Sequence, residues 1–443
     1  MNIQLSDHFT YKKLLRFVIP SIIMMIFTSV YGVVDGLFVS NFAGKTAFAA
    51  VNLIMPVLMI LGTLGFMIGT GGSAIVSKTL GEGNHKKANQ YFSMLVYVTI
   101  IGGILFTIAG QIFIRPVSIL LGATGDMIDD CVLYSRIIIL ALTAYMLQNV
   151  FQSFLITAEK PHFGLVITVT AGCTNIVLDF LFVGVFKWGI LGAATATAIS
   201  QCVGGFIPLI YFLRKNNSTL RLTKAQFDRR ALLKACTNGS SELMTNISMS
   251  LVNILYNFQL MRFAGQDGVA AYGVIMYAGF IFAAAFIGYS IGCAPLVGYN
   301  HGAQNHSELK NLFKKSMVII SVSGVLMLLL SVFTSHPLAK IFVGYDSKLL
   351  EITSRGFKIY SLAFIIWGFN IFGSAFFTAL NNGLVSAIIS FLRTLVFQII
   401  VVIVLPIFFG LDGVWFSSVA AELLSLAVTA AFFKSKKNQY HYM

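Results

Sequence analysis

The sequence has little charge: only 10% of its 443 residues are Asp, Glu, Lys or Arg, against roughly 25% in a soluble globular domain. Together with 57% hydrophobic residues and a mean hydropathy of +0.85, this scarcity excludes a water-soluble fold. Disorder is excluded as well, because a disordered chain does not carry 40 Phe along its length. Long apolar runs such as 14–34 and 316–334 indicate membrane-spanning helices, since a spanning β-strand needs only about 10 alternating residues.

Motifs for nucleotide or metal chemistry are also missing. The five cysteines are odd in number and scattered, so they predict neither a disulfide framework nor a metal site. The Gly81-Glu-Gly stretch lacks the Lys-Ser/Thr of a phosphate-binding loop. The net charge of +14 comes from basic residues that flank apolar runs and form no stripe for nucleic acid. We therefore expect no enzyme activity, no cofactor, and no nucleotide or nucleic-acid partner.

Apolar windows of about 20 residues predict an all-α polytopic membrane protein with twelve transmembrane helices. Their approximate ranges are 14–40, 47–76, 91–114, 131–156, 163–186, 189–213, 236–261, 269–298, 314–334, 356–380, 384–408 and 412–433. An even number of spans puts both termini on one side of the membrane. The segments on that side hold 20 Lys and Arg and the opposite loops hold eight, so the positive-inside rule predicts cytoplasmic termini.

An internal repeat divides the chain into two halves. With an offset of 221 residues the halves align without a gap, and Phe42 and Asn149 meet Phe263 and Asn370. Each half has six helices, so the repeats are parallel and we expect two lobes around a central cavity. The predicted units are an N-terminal lobe at 1–213, a cytoplasmic linker at 214–235, a C-terminal lobe at 236–434 and a cytoplasmic tail at 435–443. This design is typical of a transporter and disfavours a receptor or scaffold.

Four motifs stand out in the N-terminal half. They are Tyr31-Gly-Val-Val-Asp35-Gly-Leu-Phe-Val, Gly81-Glu-Gly-Asn84, Asn175-Ile-Val-Leu-Asp179 and Gly192-Ala-Ala-Thr-Ala-Thr197. Together, and across nearly the whole chain, the sequence resembles the multidrug and toxic compound extrusion family, and most closely its bacterial DinF-like and MepA-like branch. The resemblance implies a secondary active exporter of cationic amphipathic compounds in the bacterial plasma membrane, driven by inward Na⁺ or H⁺.

A lipid-linked oligosaccharide or lipid II flippase of the same superfamily is the alternative function. Such a flippase is expected to line its cavity with several Arg or Lys side chains for pyrophosphate, and only Arg393 qualifies here. For the exporter, we expect a monomer in the lipid bilayer whose ligands are small cationic amphipathic drugs.

Two carboxylates lie inside the spans of the N-terminal half, where ionisable residues are costly and often functional. Asn175 and Asp179 are four residues apart on one face of helix 5, and Asp35 and Thr197 are predicted in the same outer half of helices 1 and 6. Such oxygen donors suit Na⁺, and the same carboxylates can take up a proton where burial disfavours their charge. The family resemblance places its cation site at these four positions, which are therefore our candidates for the coupling ion.

The second half does not repeat this polar set. At the positions that correspond to Asp35, Asn175 and Asp179, it has Tyr256, Val396 and Ile400. A folding requirement shared by both lobes therefore does not explain the polar residues. The alternative, that Asp35 and Asp179 only bond neighbouring helices, is disfavoured because two uncompensated carboxylates stabilise helix packing poorly.

Several further residues are candidates with weaker support. For Glu242, a substrate or proton site is balanced against a carboxylate stabilised by the dipole of the helix N-terminus. Other candidates for a substrate or proton site are Tyr31, Tyr256, Asn149 and Asn370. Arg393 and Glu422 are predicted at the same depth in the antiparallel helices 11 and 12, so we expect them to form a structural ion pair.

Overall fold

The computed structural model describes residues 3–39, 42 and 45–443, and within these ranges every regular element is helical. The α-helices are α1 (Tyr11–Phe38), α2 (Lys45–Gly81), α3 (His85–Leu120), α4 (Asp126–Leu140), α5 (Leu142–Thr157), α6 (Pro161–Asp179), α7 (Gly189–Leu213), α8 (Arg229–Gly302), α9 (His306–Val343), α10 (Ser347–Tyr360), α11 (Phe364–Ala379), α12 (Gly383–Phe391) and α13 (Phe397–Tyr440). Two π-helical segments, Phe180–Val185 and Leu392–Val396, follow α6 and α12. The expected all-α polytopic fold is confirmed.

Several of the spans are joined or broken in ways that hydropathy does not show. The described residues hold nine helices that are long and apolar enough to cross a membrane, or ten when α4 and α5, bent by 53°, count as one span. Two of these, α8 and the continuous stretch Gly383–Tyr440 that contains α12 and α13, are too long for a single crossing. Each contains a non-helical glycine with positive φ, Gly265 at 61° and Gly410 at 56°. Only glycine adopts this conformation without strain. When the ten described spans are divided at these two glycines, twelve segments result.

Helix ends differ from the apolar windows because capping side chains, and not hydropathy, decide where a helix begins. α9 starts at His306, several residues before its apolar window, and Asn305 Oδ1 caps it by accepting from the backbone N of Glu308 at 3.1 Å. α8 starts at Arg229, inside the expected linker 214–235, and α13 continues to Tyr440, inside the expected tail 435–443. The helices therefore extend well beyond the hydrocarbon layer.

Apolar side chains on the outside of the bundle indicate contact with lipid. On α9, Leu326 and Phe333 are 60% and 77% exposed, and on α13 Phe408 is 74% exposed. Many large apolar side chains on the outside of one bundle, as here, are expected where the surrounding solvent is hydrocarbon. The chain is therefore a multi-pass membrane protein.

The two halves of the repeat, α1–α7 and α8–α13, pack closely at one end of the bundle. We call this end the terminal face, because the N-terminal segment, the connection between α7 and α8, and the end of α13 all lie there. At Gly81 and Gly302, which the 221-residue offset relates to each other, the opposite half leaves no room for a Cβ atom. Gly239 likewise lies directly against the backbone of Met67.

Candidate cation site

Three helices bring together the four residues expected to bind the coupling ion. Asp35 lies in α1, Asn175 and Asp179 in the last turns of α6, and Thr197 in α7. Asn175 Nδ2 donates to Thr197 Oγ1 at 3.3 Å, and Thr197 Oγ1 donates to Asp35 Oδ1 at 3.3 Å. The carboxylate of Asp179 lies beside that of Asp35. The four side chains thus form one contiguous polar cluster.

This cluster has more acceptor oxygens than donors. Asn175 and Asp179 are 1% and 0% exposed, and Asn175 Oδ1 and both Asp179 carboxylate oxygens have no donor among the described residues. Buried acceptors without a partner are costly, so the arrangement favours a bound cation. Na⁺ prefers such carboxylate and carbonyl oxygens, and a proton shared by the two carboxylates would satisfy one of them.

The four side chains differ in their exposure. Asp35 of α1 and Thr197 of α7 are partly exposed, whereas the two α6 residues are buried. The side of the cluster formed by α1 and α7 is therefore the more accessible one among the described residues. Directly after Asp179 the helix changes to the π-helical segment Phe180–Val185. Short π-helical turns are frequent at functional sites, and this one begins directly after the carboxylate-bearing residue.

Two tyrosines complete the surroundings of the cluster. Tyr31, a candidate from the sequence, lies one turn before Asp35 in α1 and close to Gln148 of α5. Tyr134 of α4, 1% exposed, lies close to both carboxylates. Sequence reasoning missed Tyr134, because no spacing on its own helix relates it to the carboxylates. The one sequence signal for Tyr134 was the comparison of the two halves, because the corresponding position of the second half holds a different residue type, Arg355.

The C-terminal half contains a different polar cluster. Arg393, in the π-helical segment Leu392–Val396, donates through Nε to both Glu422 carboxylate oxygens at 2.8 and 3.0 Å. Asn370 Nδ2 donates to Glu422 Oε2 at 2.6 Å, and Thr429 Oγ1 donates to Asn370 Oδ1 at 3.0 Å. Asn370 is thus part of a satisfied ion-pair network. It does not lie in the cation site.

Two further candidates, Tyr256 and Asn149, are buried. Tyr256, the counterpart of Asp35, is 2% exposed, donates to Gln398 Oε1 at 2.9 Å, and stacks on Tyr272 with ring centroids 5.0 Å apart. Its partners all belong to the C-terminal half. Asn149 is 4% exposed, and its Nδ2 has no acceptor in the described part of the chain.

The environment of Glu242 differs from the expectation. Because α8 begins at Arg229, Glu242 lies 13 residues inside it, about 20 Å from its end. A helix dipole acts within the first turn, so the expected stabilisation by the helix N-terminus is wrong. Glu242 is partly buried one turn beyond Gly239, which touches Met67. It is therefore placed next to the contact between the two halves.

Comparisons with known proteins agree with this architecture. The MatE family matches residues 20–181 and 243–404, one stretch in each half of the repeat. The multidrug export protein MepA of Staphylococcus saprophyticus is 24% identical over 415 residues, which are 94% of this chain and 91% of that protein. MepA of Staphylococcus haemolyticus is 23% identical over 430 residues, which are 97% and 94% of the two chains.

A solved structure shares the complete fold. It shows the outward-facing conformation of a multidrug resistance MATE family transporter of the MOP superfamily, with a TM-score of 0.94, 22% identity, and coverage of 100% of this chain and 99% of that one. Because the two MatE matches span most of both halves, the protein belongs to the MatE family of membrane transporters.

Proposed function

We propose that the protein is a secondary active multidrug exporter that exchanges cationic amphipathic compounds for inward Na⁺ or H⁺ in the bacterial plasma membrane. Its staphylococcal relatives of 23–24% identity are multidrug export proteins. The basic residues of the loops favour an orientation with the terminal face in the cytoplasm. The central step is alternating access, in which the two halves open first to one side and then to the other.

The cation cluster in the N-terminal half is the observation that carries this proposal. Its buried acceptors at Asn175 and Asp179 have no donor among the residues that the structure describes. The second half replaces both carboxylates and the amide by Tyr256, Ile400 and Val396. α1 connects the cluster to the other half, because Ser21 and Ile22 of the same helix pack against Gly288 of α8. Binding of a cation at Asp35 therefore acts on a helix that touches both halves.

Glu242 supports a cationic substrate. Its carboxylate makes no hydrogen bond or ion pair within residues 3–39, 42 and 45–443, and it lies beside the contact between the two halves. A carboxylate in a partly buried site attracts an organic cation and disfavours an anion. The flippase alternative lacks comparable support, because Arg393 is already paired with Glu422.

Gradient-driven transport in proteoliposomes tests the proposal. Uptake of a fluorescent cationic dye is measured under an imposed Na⁺ or pH gradient for wild type, Asp35→Asn and Asp179→Asn. Ile400→Val, at the counterpart of Asp179, is the matched control. We expect loss of gradient-driven transport in both Asn variants and normal transport in the control. If both Asn variants transport at the wild-type rate with unchanged ion dependence, the cation site is wrong and Glu242 becomes the next candidate.

A further inference from the structure

The segment before α1 lies across the terminal face and is anchored in both halves of the protein. The backbone N of Leu5 donates to Glu159 Oε1, in the turn between α5 and α6, at 2.7 Å. Four residues later, the backbone N of Phe9 donates to Glu308 Oε1, in the first turn of α9, at 2.9 Å. A short stretch of chain thus joins a carboxylate of the N-terminal half to a carboxylate of the C-terminal half.

The anchor at Glu308 is a satisfied network of charged and polar groups. Its Oε2 lies 2.6 Å from His8 Nδ1, and Asn311 Nδ2 donates to Glu308 Oε1 at 2.8 Å and to the carbonyl of Phe9 at 2.9 Å. Lys315 Nζ donates to the same carbonyl at 2.6 Å. The Glu308 side chain is only 7% exposed. Hydrogen bonds to ionised groups in such surroundings are about twice as strong as neutral ones.

Burial shows that the segment is packed and not a loose tail. Leu5 and Phe9 are 1% and 0% exposed, and the Phe9 ring meets Phe17 edge to face with centroids 6.1 Å apart. Withdrawal of Phe9 from this site would expose a large apolar side chain and leave the Glu308 carboxylate with fewer donors. The segment therefore stabilises the closed arrangement of the two halves.

The second half of the repeat has a similar tie in the opposite direction. Asp228, which caps α8, accepts from the Tyr91 hydroxyl of α3 at 3.3 Å, and its backbone N lies 3.2 Å from Met94 Sδ. The residues that lead into α1 thus bind α9, and those that lead into α8 bind α3. This reciprocal crossing is expected if the leading segments hold the two halves together at this face.

We propose that residues 3–10 form a clasp that holds the terminal face closed, with Glu308 as the positioning residue that keeps Phe9 in place. The inference rests on the alternating-access cycle proposed above, in which opening of the terminal face moves α9 away from the N-terminal half. Phe9 lies only two residues before the start of α1 at Tyr11, so it remains attached to the N-terminal half even if the Leu5 anchor breaks. Release of Phe9 from Glu308 is then a required step of opening toward the cytoplasm.

Cysteine labelling at the terminal face tests the clasp directly. Ser77, 0% exposed and packed against Gly298 of the other half, is replaced by Cys in a background without the five native cysteines. The rate of maleimide labelling then reports opening. We expect Glu308→Ala to label roughly tenfold faster or more, from the loss of charge-assisted hydrogen bonds. Lys310→Ala, an exposed change on the same helix, should label at the starting rate.

The labelling result requires neither a drug nor a coupling ion, so a failure of the proposed function leaves it interpretable. An unchanged labelling rate in Glu308→Ala at normal folded yield, as measured by size exclusion, overturns the clasp. An equal rise of the labelling rate in Lys310→Ala also overturns the clasp, because the effect would then not depend on the Glu308 anchor.

A covalent tether supplies the second test and remains informative if Glu308→Ala folds poorly. Cysteines that replace His8 and Glu308 are joined by a reducible bifunctional thiol reagent, which restores the connection to α9. We expect gradient-driven dye transport to stop in the tethered protein and to return after reduction. Normal transport with the tether in place would show that release is not required and would overturn the proposal.

Discussion

The buried ion pair of the C-terminal half gives a quantitative prediction. Glu422 is 2% exposed and receives Arg393 Nε at 2.8 and 3.0 Å together with Asn370 Nδ2 at 2.6 Å. Replacement of Arg393 by Met removes the countercharge and leaves the carboxylate with the amide alone. Loss of one partner from a buried pair costs about 3–5 kcal/mol of stability. We expect a cost of this size for Arg393→Met and a similar one for Glu422→Leu.

The double variant Arg393→Met/Glu422→Leu should be much less destabilised than the sum of the two single variants. Removal of both charges leaves no unpaired ion, and an apolar pair of similar volume is often close to neutral. The free energy of unfolding is measured for all three variants and wild type by equilibrium unfolding in denaturing detergent. Additive losses in the double variant would refute the reasoning, since they would mean that the two side chains act independently.

Three further predictions concern orientation, closure and the ion site. A cysteine that replaces the exposed Asn217 should not react with an impermeant reagent added outside intact cells, and a reaction there would contradict the cytoplasmic orientation of the terminal face. Gly239→Leu should speed labelling of a cysteine at Ser77, because the new side chain collides with the backbone of Met67; an unchanged rate would show that this contact does not close the face. Tyr134→Phe removes the hydroxyl dipole near the two carboxylates and should weaken cation binding without a loss of folded yield, and unchanged affinity in a binding titration would remove Tyr134 from the site.

The sequence predicted the cation cluster because helical geometry left little freedom. Asn175 and Asp179 share a helix face at a spacing of four residues, and the fixed rise of an α-helix put Asp35 and Thr197 at a compatible depth. The comparison of the two halves added independent information, since Ile400 takes the place of Asp179. The helix period and the direction of each span predicted the shared depth and face, and the resemblance to the extrusion family implied that the four positions belong to one site.

Other features depended on tertiary contacts that no local pattern encodes. The clasp residues 3–10 precede the first apolar run and so left no trace in the hydropathy, although Phe9 is fully buried. The predicted distance of Glu242 from the start of its helix was wrong, because α8 starts earlier than its apolar window. The Asp228 side chain caps this earlier start by accepting from the backbone N of Arg230 and Ala231. Tyr134 comes near the carboxylates only through the packing of α4 in three dimensions.

The most direct test of the central claim is a drug-binding titration repeated over a range of Na⁺ concentrations and pH values. If the coupling cation binds at Asp35 and Asp179 and opposes drug binding, each ligand must lower the affinity for the other by the same factor. For wild type, the account predicts that the drug Kd rises as the coupling cation saturates its site. For Asp179→Asn, it predicts a drug Kd that no longer responds to that cation. An Asp179→Asn protein with the wild-type cation dependence would contradict the account.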